Sequence, residues 1–144
     1  MSDTLELGAK MTDDSVYAGL TADRKSQIFA MPEDLDVTMK FNNAAKAVKT
    51  LNSQKALGHD DWQIPSLENL RVLQKNQNEG ALKGTFKTAA CNGSDCPVWY
   101  WSSTHPRLIR FYVHIVRFTG GGETLVPKAF HRLSCRPVRL VPVI

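Results

Sequence analysis

Four histidines, three cysteines, one pair of adjacent aspartates and one run of three glycines are the residues of this chain with obvious chemical capacity. The histidines are His59, His105, His114 and His131. A metal centre would need several of them to converge, with carboxylates behind them to orient the rings. The C-terminal half, which holds three of the four, offers only Asp95 and Glu123. No metal and no cofactor is therefore expected. Asp60 and Asp61 are neighbours in a polar turn and point apart, whereas paired acid–base chemistry needs two carboxyls facing across a cleft. Turn and cap roles suit them better, and His59 beside them should make a structural hydrogen bond. Cys91 and Cys96 flank Asn92-Gly93-Ser94-Asp95, a loop able to close on itself, while Cys135 stands far away in an apolar run. One bridge plus a free thiol, or three free thiols, both fit. Too few ligands stand near them for zinc, and a thiol inside an apolar strand is more often packed than nucleophilic. Gly120-Gly121-Gly122 opens no helix, so it reads as a turn and not as a phosphate loop. Glu33-Asp34-Leu35-Asp36 lacks the spacing of a calcium loop and reads as solvated surface.

Binding is better represented than catalysis. Trp99, Tyr100 and Trp101 alternate along an expected strand, so at least one of the two sets must be core. The stretch 105–131 mixes bulky apolar and basic residues without a period: His105-Pro106-Arg107-Leu108-Ile109-Arg110 first, then Leu125, Val126, Ala129 and Phe130 after the glycine turn. Either these residues fold under into the core, or they form an exposed surface with the composition of an interface. In the second case the ligand surface comprises His105, Arg107, Ile109, Arg110, Tyr112, His114, Leu125, Lys128, Phe130 and His131. A protein partner suits it better than a sugar, because no acidic or amide cluster is present to grip hydroxyls.

The elements that must position these residues follow from hydrophobic spacing. Residues 15–20 and 27–31 are short strand-like runs able to pair across a polar turn, the second stopped by Pro32. A helix is expected over 41–57, with Ala44, Ala45, Ala47, Val48 and Leu51 as its apolar stripe and Gly58 as its stop. A second is expected over 67–77, capped by Ser66 and carrying Leu67, Leu70 and Leu73 on one face. Pro65 keeps Ile64 extended just before it. Trp62 lies in the connection, so the two helices should pack on each other. Beyond residue 80 the character is β: 97–104, the strong run 111–118, 125–126 and 133–140, where Pro137 marks an edge or a bulge. Helices first and strands later indicate an α+β domain with an antiparallel sheet. Trp62, Trp101, Val116, Phe118 and Cys135 are its expected structural residues.

The chain of 144 residues suits one domain, 1–144, with one core. No apolar run approaches the ~20 residues that span a bilayer, so membrane insertion is not expected. The start, Met1-Ser2-Asp3-Thr4-Leu5-Glu6, has no basic region or apolar run, so no signal peptide is expected in this chain. A removed leader or a longer parent leaves the compartment unassigned, and the oligomeric state is equally open. The net charge of +4 is uneven. Residues 1–80 hold nine basic and twelve acidic residues, and residues 81–144 hold nine and two. A basic half could serve nucleic acid, but its arginines are scattered among apolar residues, which makes that partner the weaker expectation.

Four blocks together resemble a bacterial family, the domain at the C-terminus of the Legionella collagen-like protein. Gly58-His59-Asp60-Asp61-Trp62-Gln63-Ile64-Pro65-Ser66 is similar to its Asp-Trp-Arg signature, with Gln63 in place of the arginine. Trp99-Tyr100-Trp101-Ser102-Ser103-Thr104 matches its Tyr-Trp-Ser-Ser block. Val113-His114-Ile115-Val116-Arg117-Phe118-Thr119-Gly120-Gly121 resembles a third, with Gly120 where Asp or Asn is usual. Leu133-Ser134-Cys135-Arg136-Pro137-Val138-Arg139 resembles the closing block, with Pro137 as a departure. The blocks occur in the family's order over about 58–139. The resemblance implies a C-type-lectin-like fold: two helices packed on a small twisted antiparallel sheet, with long loops presenting a ligand surface. The calcium-binding motifs of true C-type lectins are absent, so calcium-dependent sugar binding is not carried over. A narrower resemblance is to the variable proteins of diversity-generating retroelements, which share the fold and diversify a ligand-binding segment. It implies a non-catalytic, receptor-like module. An enzyme akin to the formylglycine-generating sulfatase-modifying oxidases is the alternative, and a basic nucleic-acid binder a second one.

Overall fold

The computed structural model describes residues 5–143. Met1-Ser2-Asp3-Thr4, on which the expectation of a missing leader partly rests, lies outside them. The two short apolar runs near the start form β1 (Val16–Leu20) and β2 (Ser26–Ala30), an antiparallel hairpin with a bulge between Tyr17 and Gly19. α1 (Phe41–Ser53) follows, ending in a 3-10 turn at Ala56–Gly58, and then α2 (Leu67–Lys75). The Ser66 hydroxyl accepts the Asn69 N–H at 3.2 Å, the cap its position implied. Five strands complete the chain: β3 (Asp95–Trp101), β4 (Tyr112–Arg117), β5 (Glu123–Pro127), β6 (Arg132–Ser134) and β7 (Val138–Pro142).

The expected α+β, C-type-lectin-like arrangement is present, with two refinements. The strands form two sheets, one in the order β1-β2-β7 and one in the order β5-β4-β3-β6. β7 thus returns to the N-terminal hairpin, and β3 with β6 is a parallel pair inside otherwise antiparallel ladders. Pro137 sits where the chain leaves one sheet for the other, a place where its missing N–H costs no ladder bond.

The helices do not share a core. Tyr100, Val116 and Phe118 cluster with Leu67, Leu70 and Leu73 of α2 and with Val16, Ile28 and Val138 of the smaller sheet. Trp101, Val113 and Ile115 cluster instead with Phe41, Ala44 and Val48 of α1, and with Trp62. Alternation along β3 and β4 sends these two sets to opposite faces, so the four-stranded sheet is covered on both sides. The expectation that α1 packs on α2 is corrected by this. Trp62 serves α1, because Asn52 clamps its backbone through bonds of 2.7 and 2.9 Å and its indole N–H donates to Ala56 at 2.8 Å. Ala45, placed in the α1 stripe from its spacing, is exposed.

The acidic loop is a second correction. The Asp34 side chain is buried and accepts from Arg136 Nε at 2.8 Å and from the Tyr100 hydroxyl at 2.5 Å. Arg136 is itself fully buried, donates further to the Met31 and Thr85 carbonyls, and lies 4.0 Å over the Phe86 ring. Burial, together with the same carboxylate, pushes the Tyr100 hydroxyl well above the ordinary phenol range.

Candidate functional site

The segment after β3 is held from both sides before the chain is released. Ser102 donates its hydroxyl to the His114 carbonyl at 2.6 Å, and the His114 N–H donates to Thr104 at 3.0 Å. The Ser103 N–H donates to the Pro65 carbonyl, and the Thr104 hydroxyl accepts the first N–H of α2 from Leu67, both at 2.9 Å. Residues 102–104 are therefore a staple between α2 and β4. Residues 105–111 lie outside it, returning through turns at Pro106–Ile109 and Ile109–Tyr112. β5 pairs with β4 in the register Tyr112↔Pro127 and His114↔Leu125, and the Lys128 N–H donates to Phe111 at 2.9 Å. The two odd stretches, 105–111 and 124–130, are brought side by side in this way.

The choice between core and surface for 105–131 is decided by exposure. Among the described residues nine large apolar side chains are exposed, and six of them fall between 108 and 130, so this is where the apolar surface is concentrated. They include Ile109, Tyr112, Leu125 and Phe130 from the expected set. Leu108 and Phe111 belong with them although they lie outside that set, and they are the two most exposed, at 91% and 80%. Leu108 lies in the same aperiodic run, which is the signal that marks it. The aromatic character of Phe111 suggests a strand residue, but β4 begins one residue later, so it never enters the core.

The ten expected residues do not form one patch. Arg110, Tyr112, Lys128 and Phe130, with Phe111 and Asn42 of α1, line an open cavity of about 580 Å³. His105 adjoins it: its ring lies 6.1 Å from that of Phe41, and Nδ1 is 3.2 Å from the Tyr112 carbonyl. Lys128 also leans on Phe41, with Nζ 4.7 Å from the ring centroid. Partial burial there lowers its pKa. His114 and Leu125 point to the α2 face, where Arg71 grips Glu123 through bonds of 2.6 and 2.7 Å. His131 lies apart, lining a small apolar cavity of about 230 Å³ with Trp99 and the Cys91–Cys96 disulfide. Arg107 and Ile109 are exposed on the 105–111 loop.

The other residues with chemical capacity fall outside this surface. Among the described residues no cluster of three or more His, Cys, Asp and Glu could hold a metal. Cys135 is the unpaired thiol, wholly buried, and burial pushes its pKa up. Asp61 pairs with Arg139 at 2.8 Å and His59 with Asp13 at 2.7 Å, which leaves the polar turn a structural task. No helix among the described residues is long and apolar enough to cross a membrane.

No curated protein matches the chain. A family model described as the Lcl C-terminal domain matches residues 12–139. That span runs from ahead of β1 into β7 and takes in both helices, both cores and the 105–131 stretch. The chain belongs to the Lcl C-terminal domain family.

Proposed function

We propose that this domain is a non-catalytic, receptor-like binding module whose 105–131 surface takes a protein ligand, and that it is a variable protein of a diversity-generating retroelement. The observation that carries this reading is a division of labour along the chain. The family resemblance treats Trp101, Ser102, Ser103, Val116, Phe118, Cys135 and Arg136 as constant; all of them are buried except Ser103, which is exposed but tied by its N–H to Pro65. The residues between them carry most of the exposed apolar side chains, interleaved with arginine and lysine. Aromatic and arginine side chains on a surface outside the core are the types that dominate contact energy at interfaces. They can change without cost to the fold, which is what diversification requires. The burial of Cys135 lends no support to thiol chemistry of the sulfatase-modifying kind.

Two measurements test the reading. Sister copies of the gene, sequenced together, should differ within codons 105–131 and agree at the six buried positions; differences spread evenly along the chain would refute diversification. Binders selected from a random peptide-display library should lose about tenfold or more in affinity for an Arg110→Ala, Phe111→Ala, Phe130→Ala triple variant, given the usual weight of such side chains. The melting temperature should stay within a few degrees of the parent. Retained affinity in the triple variant would place the ligand elsewhere.

A further inference from the structure

β5 is the outer strand of the four-stranded sheet, and its far edge carries no further strand. The direction of its backbone groups follows from two bonds. Lys128 donates to Phe111, and Arg117 donates to Gly122 at 2.7 Å. In an antiparallel ladder the bonded pairs alternate with unbonded ones. With the register Tyr112↔Pro127 to Val116↔Glu123, Val126 and Thr124 turn their N–H and C=O toward β4. Glu123 and Leu125 turn theirs away, and so does the Pro127 carbonyl. Among the described residues these outward groups have no backbone partner. Glu123, Thr124 and Leu125 along the row are all exposed.

The charge around this edge is one-sided. Arg110 and Lys128 stand at its Pro127 end and Arg117 at its Gly122 end, and none of the three is in an ion pair among the described residues. The carboxylate on the strand itself, Glu123, is already neutralised by Arg71. The cavity beside the Pro127 end is walled by Phe111, Tyr112 and Phe130.

We propose that this face takes an extended, acidic polypeptide segment that adds as a further strand to the free edge of β5. The proposal rests on the protein-binding role of the 105–131 surface and names the chemistry of its partner. Strand addition supplies main-chain bonds to Leu125 and Glu123, and alternate side chains supply selectivity. Carboxylates of the segment meet Arg110, Lys128 and Arg117, and an apolar side chain enters the cavity by Phe111. A sulfated polysaccharide would meet the cations alone, leaving the amide row and the aromatic wall without partners. A second copy pairing β5 to β5 about a two-fold axis would bring the Lys128 end of one molecule against the Arg117 end of the other, cation against cation.

Fluorescence anisotropy with a labelled nonapeptide of alternating valine and glutamate tests this on the full chain. The peptide should bind, and its affinity should fall about tenfold or more when one edge of it is N-methylated, since that edge then forms no ladder. A valine–lysine peptide should not bind. Leu125→Pro removes an outward N–H and no ladder bond within the sheet, so it should weaken binding similarly at an unchanged melting temperature. Arg110→Glu with Arg117→Glu, both exposed, should also weaken binding at an unchanged melting temperature. If Leu125→Pro unfolds the protein, the N-methylated peptide still decides. Undiminished binding of the N-methylated peptide, equal binding of the lysine peptide, or heparin binding indifferent to Leu125→Pro would each overturn the proposal. So would concentration-dependent dimerisation in analytical ultracentrifugation that Leu125→Pro abolishes. Library-selected binders that depend on Phe111 and Phe130 but ignore Leu125→Pro and the charge reversal would sink strand addition and leave the binding role standing. Failure to select any binder would sink both.

Discussion

Arg136 and Asp34 show what a single buried pair does in a small domain. Both side chains are removed from water, and every donor the guanidinium uses has a named acceptor: Asp34, Met31 or Thr85. A buried ion pair adds little beyond an apolar replacement, but leaving one partner alone is costly. Asp34→Ala should therefore destabilise the fold by about 3–5 kcal/mol, read as a shift in the urea midpoint. A loss below about 1 kcal/mol would mean that water reaches the arginine. Asp61 is the contrasting case. The hydrogen bond from Arg139 holds its carboxyl below the ordinary carboxylate range. The native state thus binds fewer protons than the unfolded chain in the window just below about pH 4, and the pair's contribution is present above that window. It is lost as pH falls through the depressed native value. The Asp61 side chain is about half exposed, so the contribution is screened and should not exceed about 1 kcal/mol. The stability difference between wild type and Asp61→Asn should be measurable near neutral pH and shrink as pH falls through the depressed native value of the carboxyl; a difference independent of pH would assign the effect to packing.

The connections between elements depend on backbone approaches that side chains would forbid. Gly8 and Gly80 meet backbone to backbone, and the Ala81 N–H donates to the Gly8 carbonyl at 2.9 Å. A Cβ on Gly80 would stand 2.6 Å from the Gly8 oxygen, at a φ of +49°. Gly58 also has positive φ, +85°, but a Cβ there would meet nothing within 4 Å. Gly80→Ala should therefore lower the melting temperature clearly more than Gly58→Ala, whose penalty is the left-handed conformation alone, about 1–2 kcal/mol. Equal shifts would mean the Gly8 segment moves aside freely. The start of α2 is fastened at three points, the Ser66 cap, the Thr104 hydroxyl and the Pro65 carbonyl. This explains how one short helix can orient the loop that leaves Thr104.

The molecule is closed by its two ends. β7 pairs with β2 over five consecutive positions, from Ser26↔Pro142 to Ala30↔Val138, and Gln63 bridges to Val138. Val138, Ile28 and Ala30 are wholly buried in the same core as α2. Removing residues 138–144 would expose that core and strip the hairpin of its third strand. The loss should exceed the roughly 5–15 kcal/mol stability of a domain of this kind. The truncated chain should show no dispersed amide resonances and no cooperative melting transition. A cooperative transition in it would show that the four-stranded sheet folds with α1 alone. The 105–131 surface lies on the other sheet, which is why changes there should leave this closure intact.

Local chemistry is legible in the amino-acid sequence itself. Ser66 as a cap, the Leu67–Leu70–Leu73 face, the 16–30 hairpin and the β character beyond residue 80 follow from spacing and residue type, which act over a few residues. The family blocks point to the fold because their residues answer one another in space: Asp61 to Arg139, Ser103 to Pro65, Trp101 to the α1 core. Spacing does not tell that α1 and α2 lie on opposite faces of a sheet, since each helix carries an apolar stripe and the partner of a stripe is set by topology. It does not tell that Asp34 is buried, because its partner stands 102 residues away. Nor does it separate exposed from buried apolar residues in 105–131. Leu108, Phe111 and Phe130 are as apolar as Val113 and Ile115, and only the staple at 102–104 and the start of β4 at Tyr112 decide which of them reach water.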